Sequence, residues 1–257
     1  MIIKRKCGFK IIKKSQTIDS MGNYMRPTDP LSLSLPKGIN VDTTPIKRSK
    51  LPIIFIIGGP GSGKRTITTH VAEKYGFERI ISTDVIRSEV AKRSDKAYAL
   101  ARYLSKGQLV PEDVLVELIA IKMLENIHKK KGFFISGFPR DKKQGKVFDK
   151  ELRSPDLVIL LHVRNSVMTD REMAKSVKAT ERVSVTFDYI KNRIKDFHSR
   201  NKSILRHYRK VLAIIDAEPE IMVVVENACA VIDNFLKKYE KYGEISKFAV
   251  STPSTSQ

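Results

Sequence analysis

The 257-residue chain has no tryptophan and only two cysteines, Cys7 and Cys229, far apart and in unlike surroundings. Two such cysteines exclude a disulfide framework and offer no thiolate metal site. The five histidines (His70, His128, His162, His198 and His207) show no ligand spacing, so no metal-binding residues are expected. No apolar run approaches the roughly 18 residues that a membrane-spanning helix needs. The first residues are basic, but no continuous apolar stretch or small-residue cleavage site follows, so a secretory signal is not expected. Aromatic RNA-binding strands and zinc-finger spacings are missing as well. With 41 % hydrophobic and 30 % charged residues, the composition is that of an ordinary folded protein.

Negative charge is also scarce: 48 Lys and Arg face 28 Asp and Glu, a net charge of +20. Eleven basic residues against three acids lie in the first fifty positions, and the rest of the excess belongs to the body of the chain. Such a surface suits nucleic acid, an anionic membrane or an anionic small molecule. A lysine-rich surface around an anion-binding cleft accounts for it without a macromolecular partner.

Residues 1–50 show no sustained period and carry Pro27, Pro30, Pro36 and Pro45, so they read as a disordered basic extension. Within it, Ile2, Ile3, Phe9, Ile11 and Ile12 mix with Arg5 and lysines, and no acid precedes Asp19. That pattern leaves mitochondrial targeting or membrane contact open beside the cytoplasmic location expected of the body. Residues 241–257 read as a frayed tail. Between them, residues 51–240 alternate short apolar runs with helical patterns. The runs at 51–57, 79–82, 132–135, 157–161 and 211–215 read as five buried strands. Val114, Leu115, Leu118, Ile119, Met123 and Ile127 repeat at helical spacing and predict a long amphipathic helix over 112–130. Continuous apolar strands separated by helices imply a parallel sheet covered on both faces. Ligands of such sheets bind beyond the carboxyl ends of the strands.

At that end of the first strand stands Gly58-Gly59-Pro60-Gly61-Ser62-Gly63-Lys64, opening a helix. Glycines let backbone N–H groups wrap an anion without Cβ clashes, and the helix N-terminus adds partial positive charge. Lys64 reaches the transferring phosphates. The segment is a P-loop, and the chain is expected to bind nucleotide phosphates.

The full string Gly-Gly-Pro-Gly-Ser-Gly-Lys-x-Thr, ending at Thr66, resembles the phosphate loop of the adenylate kinase family. Three further segments resemble that family in the same order. They are Asp84 to Val90 with Arg87, Lys106 to Pro111, and Gly137-Phe138-Pro139-Arg140 with Gln144 four residues on. The resemblance runs from about Leu51 to Lys238 and implies a P-loop NTPase-type α/β fold: a parallel five-stranded sheet, helices on both faces and a short lid. It implies phosphoryl transfer from ATP to AMP, giving ADP, by a monomer that uses Mg²⁺ with ATP. Gly59, Pro60, Gly61, Ser62, Gly63, Lys64, Arg65 and Thr66 would hold ATP. Ser82, Arg87, Val110, Gly137, Arg140, Gln144, Arg182 and Arg193 would hold AMP, with Gln144 reading adenine. Lys64, Arg140, Arg171, Arg182 and Arg193 would neutralise the phosphoryl group in transit. The lid at 175–185 carries no cysteine pattern, which excludes a zinc-binding lid.

The chain also departs from the family pattern. Ser136 stands where the family has an acid that organises Mg²⁺ and its water, and Arg65 replaces the glycine after the P-loop lysine. Thr83 replaces another glycine, and Ser184 and Val185 stand where the lid has two aspartates. Two readings follow from these changes. One is a kinase whose metal site is weakened, with Arg65 bringing compensating charge to the phosphates. The other is a nucleotide-binding pseudoenzyme. A basic protein that binds RNA or membrane surfaces is a third, more distant reading.

Overall fold

A computed structural model of the chain describes residue 35 and residues 38–106, 108–178 and 186–249, the last ten of these by backbone only. The expectations for the basic residues 1–34, and for Arg182, Ser184 and Val185 in the lid, lie outside the described residues.

Five strands form where the apolar runs fall: β1 (Ile53–Gly58), β2 (Glu78–Ile81), β3 (Phe133–Ser136), β4 (Leu157–His162) and β5 (Leu212–Asp216). They make one all-parallel sheet in the order β2-β3-β1-β4-β5. The central β1 shows why its sequence has to be continuously apolar. Its side chains alternate between two cores, Ile53, Phe55 and Ile57 on one face and Ile54 and Ile56 on the other. Each such side chain, fully removed from water, contributes about 1.5–3 kcal/mol of transfer free energy.

Nine α-helices lie among the described residues: α1 (Thr44–Arg48), α2 (Lys64–Tyr75), α3 (Ser82–Val90), α4 (Asp95–Ser105), α5 (Glu112–Leu124), α6 (Lys142–Glu151), α7 (Asn165–Lys178), α8 (Phe187–His207) and α9 (Ile221–Ala249). Among the described residues, no helix is long and apolar enough to cross a membrane. Residues of α1, α3, α4, α5 and α6 bury one face of the sheet, and residues of α2, α7 and α9 the other, while α8 contributes to both. Phe55 centres the first core, with the rings of Phe138, Phe148 and Tyr208 edge-on around it at 5.5, 5.0 and 5.8 Å. Cys229 is buried in the second core, where α9 places it beside Val225 and Ile232.

The structure corrects three expectations. Packing starts well before residue 51, within the stretch expected to be disordered. Ile46 of α1 is fully buried, and Leu35, Ile39 and Val41 pack against the same core. This strap is pinned to α5, since Gly38 N–H donates to Asp113 Oδ2 at 2.7 Å and Asn40 N–H to Glu117 Oε1 at 3.0 Å. The helix expected to be amphipathic over 112–130 ends at Leu124, and Val114 to Ala120 are all buried. The strap supplies the reason: it covers the side of α5 that would otherwise be wet. Glu117 tolerates burial because Lys96 Nζ donates to its other oxygen at 2.7 Å. At the other end, α9 continues beyond residue 240, the expected start of the tail, to Ala249.

Candidate active site

The P-loop joins β1 to α2, and its geometry follows from its glycines. Gly61 and Gly63 have φ of +69° and +81°, a region that side chains avoid. Gly63 also stands at the N-cap of α2 without a side-chain cap, so the helix opens with N–H groups free for an anion. Ser62 closes the loop on itself, its hydroxyl donating to Gly59 O at 2.8 Å. From α7, Met168 packs so closely over Gly59 that a Cβ there would strike its Sδ. At Gly61 a Cβ would lie 3.0 Å from the Met168 carbonyl oxygen and 3.2 Å from Arg171 Cβ.

Lys64 folds back along the loop, and its ammonium donates to Gly58 O at 2.7 Å, Gly59 O at 2.6 Å and Ser62 Oγ at 3.1 Å. Burial, followed by the charge of Lys175, pushes its pKa down to about 7, with Arg140 and Arg193 adding to the fall and Glu172 opposing it. Arg65 points its charge elsewhere. Both terminal nitrogens of its guanidinium are taken by Asp84 in the first turn of α3, at 2.8 and 2.7 Å. Thr66, next along α2, is exposed.

The acceptor residues gather around the turn after β3. Ser82 begins α3 right after β2, is 1 % exposed, and donates to Gly137 O at 2.8 Å. Gly137 has φ +73°, and a Cβ there would sit 2.9 Å from that hydroxyl. Arg140 follows, its Nε donating to Gly137 O at 3.3 Å. Partial burial, then the charges of Arg193 and Arg200, lower its pKa from the ordinary arginine value. Gln144 accepts the backbone N–H of Arg140 through Oε1 at 2.8 Å, which leaves its amide N–H₂ to donate outward. Asp141 caps α6 by accepting from Gln144 N at 2.9 Å, so turn and helix fix each other. Arg87 is exposed on α3, and its side chain makes no hydrogen bond among the described residues. Val110 is buried in the core below this segment.

The lid-side residues divide. Arg193 on α8 faces the cleft and is tied to Glu172 at 3.0 Å. Arg171 is tied to backbone instead: Nη1 donates to Ala217 O and Nη2 to Glu218 O, both at 2.7 Å, which fastens the loop after β5 beside the P-loop. Lys175 pairs with Glu172 at 2.9 Å. Glu172 and Met168 escape a sequence reading because neither lies in a motif, although both are one helical turn from Arg171 or Lys175 on α7. A cavity of about 860 Å³ opens on the other face of the α7–α8 pair, around Asn165, Phe187 and His198, and includes none of these residues.

Comparison with known proteins agrees with this layout. The family model described as adenylate kinase matches residues 56–212. Adenylate kinase isoenzyme 1 of Homo sapiens is 31 % identical over 189 residues, covering 73 % of this chain and 97 % of the relative. The isoenzyme 1 of Rattus norvegicus is 30 % identical over 190 residues, with the same two coverages. That of Caenorhabditis elegans is 33 % identical over 195 residues, covering 73 % of this chain and 92 % of the relative. With its P-loop, its acceptor turn and this similarity along nearly the whole length of the relatives, the chain belongs to the adenylate kinase family.

Proposed function

We propose that the chain transfers the terminal phosphoryl group of ATP to AMP, giving two molecules of ADP. An oxygen of the AMP phosphate attacks the γ-phosphorus, and the bond from that phosphorus to the β–γ bridging oxygen breaks in line. Little covalent work falls to the protein, which positions two anions and neutralises them. Lys64 and the opening N–H groups of α2 hold the triphosphate, while Arg87 and Arg140 clamp the acceptor phosphate, a task that suits the guanidinium fork. Gln144 donates its amide N–H to adenine. Arg193 lies between the two, with Arg182 on the lid as a further cation. All these groups come from one chain, so a monomer suffices.

The observation that carries this reading is electrostatic. The cation of the phosphate loop and the arginine of the acceptor turn share one field, since Arg140 and Arg193 both depress the pKa of Lys64. Cations are gathered against their own repulsion where the triphosphate of ATP and the phosphate of AMP would meet.

The residues do not fit a Mg²⁺ ion held by the protein. Arg65 puts a cation where the family has a glycine, and buried Ser136 ends β3 without a charge. Asp84, on α3, is engaged by Arg65. Any Mg²⁺ arrives on the nucleotide's own phosphates and contributes charge neutralisation there, with weakened control by the protein.

A coupled assay of ADP formation from ATP and AMP tests the activity. The full chain forms ADP well above background, and Lys64→Ala and Arg140→Ala each lower turnover by about 100-fold or more while melting like the parent. Absence of ADP formation in the parent would refute the proposal.

A further inference from the structure

Helix α7 leans on the phosphate loop through Met168 and Arg171, and the residue after Arg171 is an acid. The Glu172 side chain is only 14 % exposed. Its two oxygens accept from Lys175 Nζ at 2.9 Å and Arg193 Nη1 at 3.0 Å, and its charge acts on Lys64. Two cations, from α7 and α8, thus converge on one carboxylate, and Lys64 of α2 lies within its field. Among the described residues, Lys175 and Arg193 form no other ion pair.

We propose that Glu172 is a positioning residue that serves as an internal anion of the triphosphate site, holding its cations together while the site is empty and yielding when phosphates arrive. The inference rests on the assignment of Lys64 and its neighbours to ATP. A triphosphate seeks the same three cations, and a carboxylate already among them repels it. Glu172 therefore limits affinity for ATP and eases its release. The acceptor site feels this effect less, because among its described arginines only Arg193 is paired with Glu172, while Arg140 and Arg87, which clamp the phosphate, are not. A purely structural ion pair would behave differently, since its loss would lower stability and leave affinity for ATP where it was.

The experiment is calorimetric titration of the full chain with ATP, free of divalent cations, and separately with AMP. Glu172→Gln and Glu172→Leu, which lack the charge, bind ATP about tenfold more tightly than the parent. Glu172→Asp, which keeps it, stays within about twofold of the parent, and AMP affinity moves by less than about threefold in all three. Equal or weaker ATP binding by the uncharged variants overturns the proposal, as does an equal gain for AMP. Lys64→Ala separates the two levels of the argument. If it binds ATP as the parent does, the assignment of the triphosphate site is at fault. If it loses ATP while Glu172→Gln gains nothing, only the role of Glu172 falls.

Discussion

The guanidinium of Arg65 grips the carboxylate of Asp84 through two hydrogen bonds, 2.8 and 2.7 Å long, joining the first turn of α2 to the first turn of α3. Each partner explains the other's ionisation. The hydrogen bond from Arg65 holds Asp84 below the usual carboxylate range, and Asp84 raises the pKa of Arg65. The charge that Arg65 brings into the phosphate loop is therefore neutralised on the spot, and little of it reaches a bound nucleotide.

Arg65→Ala should accordingly leave the Mg²⁺ dependence of ATP binding as it is in the parent. Both partners are substantially solvent-exposed, so the pair contributes no more than about 1 kcal/mol to stability. ATP titrations with and without Mg²⁺, beside a thermal melt, check both statements. A steeper Mg²⁺ requirement in the variant would show that Arg65 does substitute for metal charge.

Gln144 makes a different kind of contact. It is 1 % exposed, and its Oε1 is the acceptor for Arg140 N–H, so truncation leaves a part-buried donor unsatisfied as well as removing a contact to adenine. An unpaired buried group costs about 1–3 kcal/mol. Gln144→Ala should raise the KM for AMP by about 10- to 100-fold, with the KM for ATP moving less than about threefold. Initial-rate kinetics with each substrate varied in turn provide the measurement.

Much of this was legible in the sequence, for a physical reason. Buried parallel strands are continuous apolar runs, so residues 51–57 and 157–161 announced β1 and β4 nearly to their ends. The P-loop was equally plain, because its positive-φ glycines are dictated by backbone geometry. The strap at 38–48 was not legible. Its apolar residues Ile39, Val41 and Ile46 have no period of their own, and they are covered, Ile46 fully and the others in part, only because α5, about seventy residues away, accepts them. The same long-range contact turned α5 from an amphipathic helix into one buried all round. Arg65, readable as a threat to the phosphate site, is answered by Asp84, nineteen residues on. Side-chain pairing of that kind leaves no local trace in the sequence.

The titration of Lys64 gives a pH prediction. Burial first, and Lys175 next, lower its pKa to about 7 in the empty protein. Bound phosphate favours the charged form and so raises it. Above about pH 7, binding must then return a proton to the lysine, and affinity for ATP falls as pH rises. From about pH 7.5 to 8.5 the fall should approach tenfold, one proton per ATP. The sign follows from the direction of the shift: a base depressed in the free protein and restored in the complex costs affinity above its free value. Titrations across this range check it, and the profile of Lys64→Ala should be flat.

Ser136 tests the metal site from the other direction. It ends β3, 2 % exposed, with Ile56 of β1 on one side and Ile81 of β2 on the other, so a side chain here sits beside the phosphate loop. An aspartate at this point would be desolvated, which alone would favour its protonated form, but the field of Lys64 and Arg140 favours the anion. Ser136→Asp therefore supplies the charge that can order Mg²⁺ and its water. Turnover at saturating Mg²⁺ should rise by about tenfold or more, in line with the size of single electrostatic contributions in such sites. ATP binding without Mg²⁺ should weaken, because the new charge repels bare phosphate. Stability should fall by about 1–3 kcal/mol, the cost of burying the group. ADP formation measured against Mg²⁺ concentration distinguishes this outcome from a merely destabilised variant, which would lose activity equally at every Mg²⁺ level. An unchanged Mg²⁺ profile with unchanged turnover would mean that the acid missing at Ser136 does not limit this kinase.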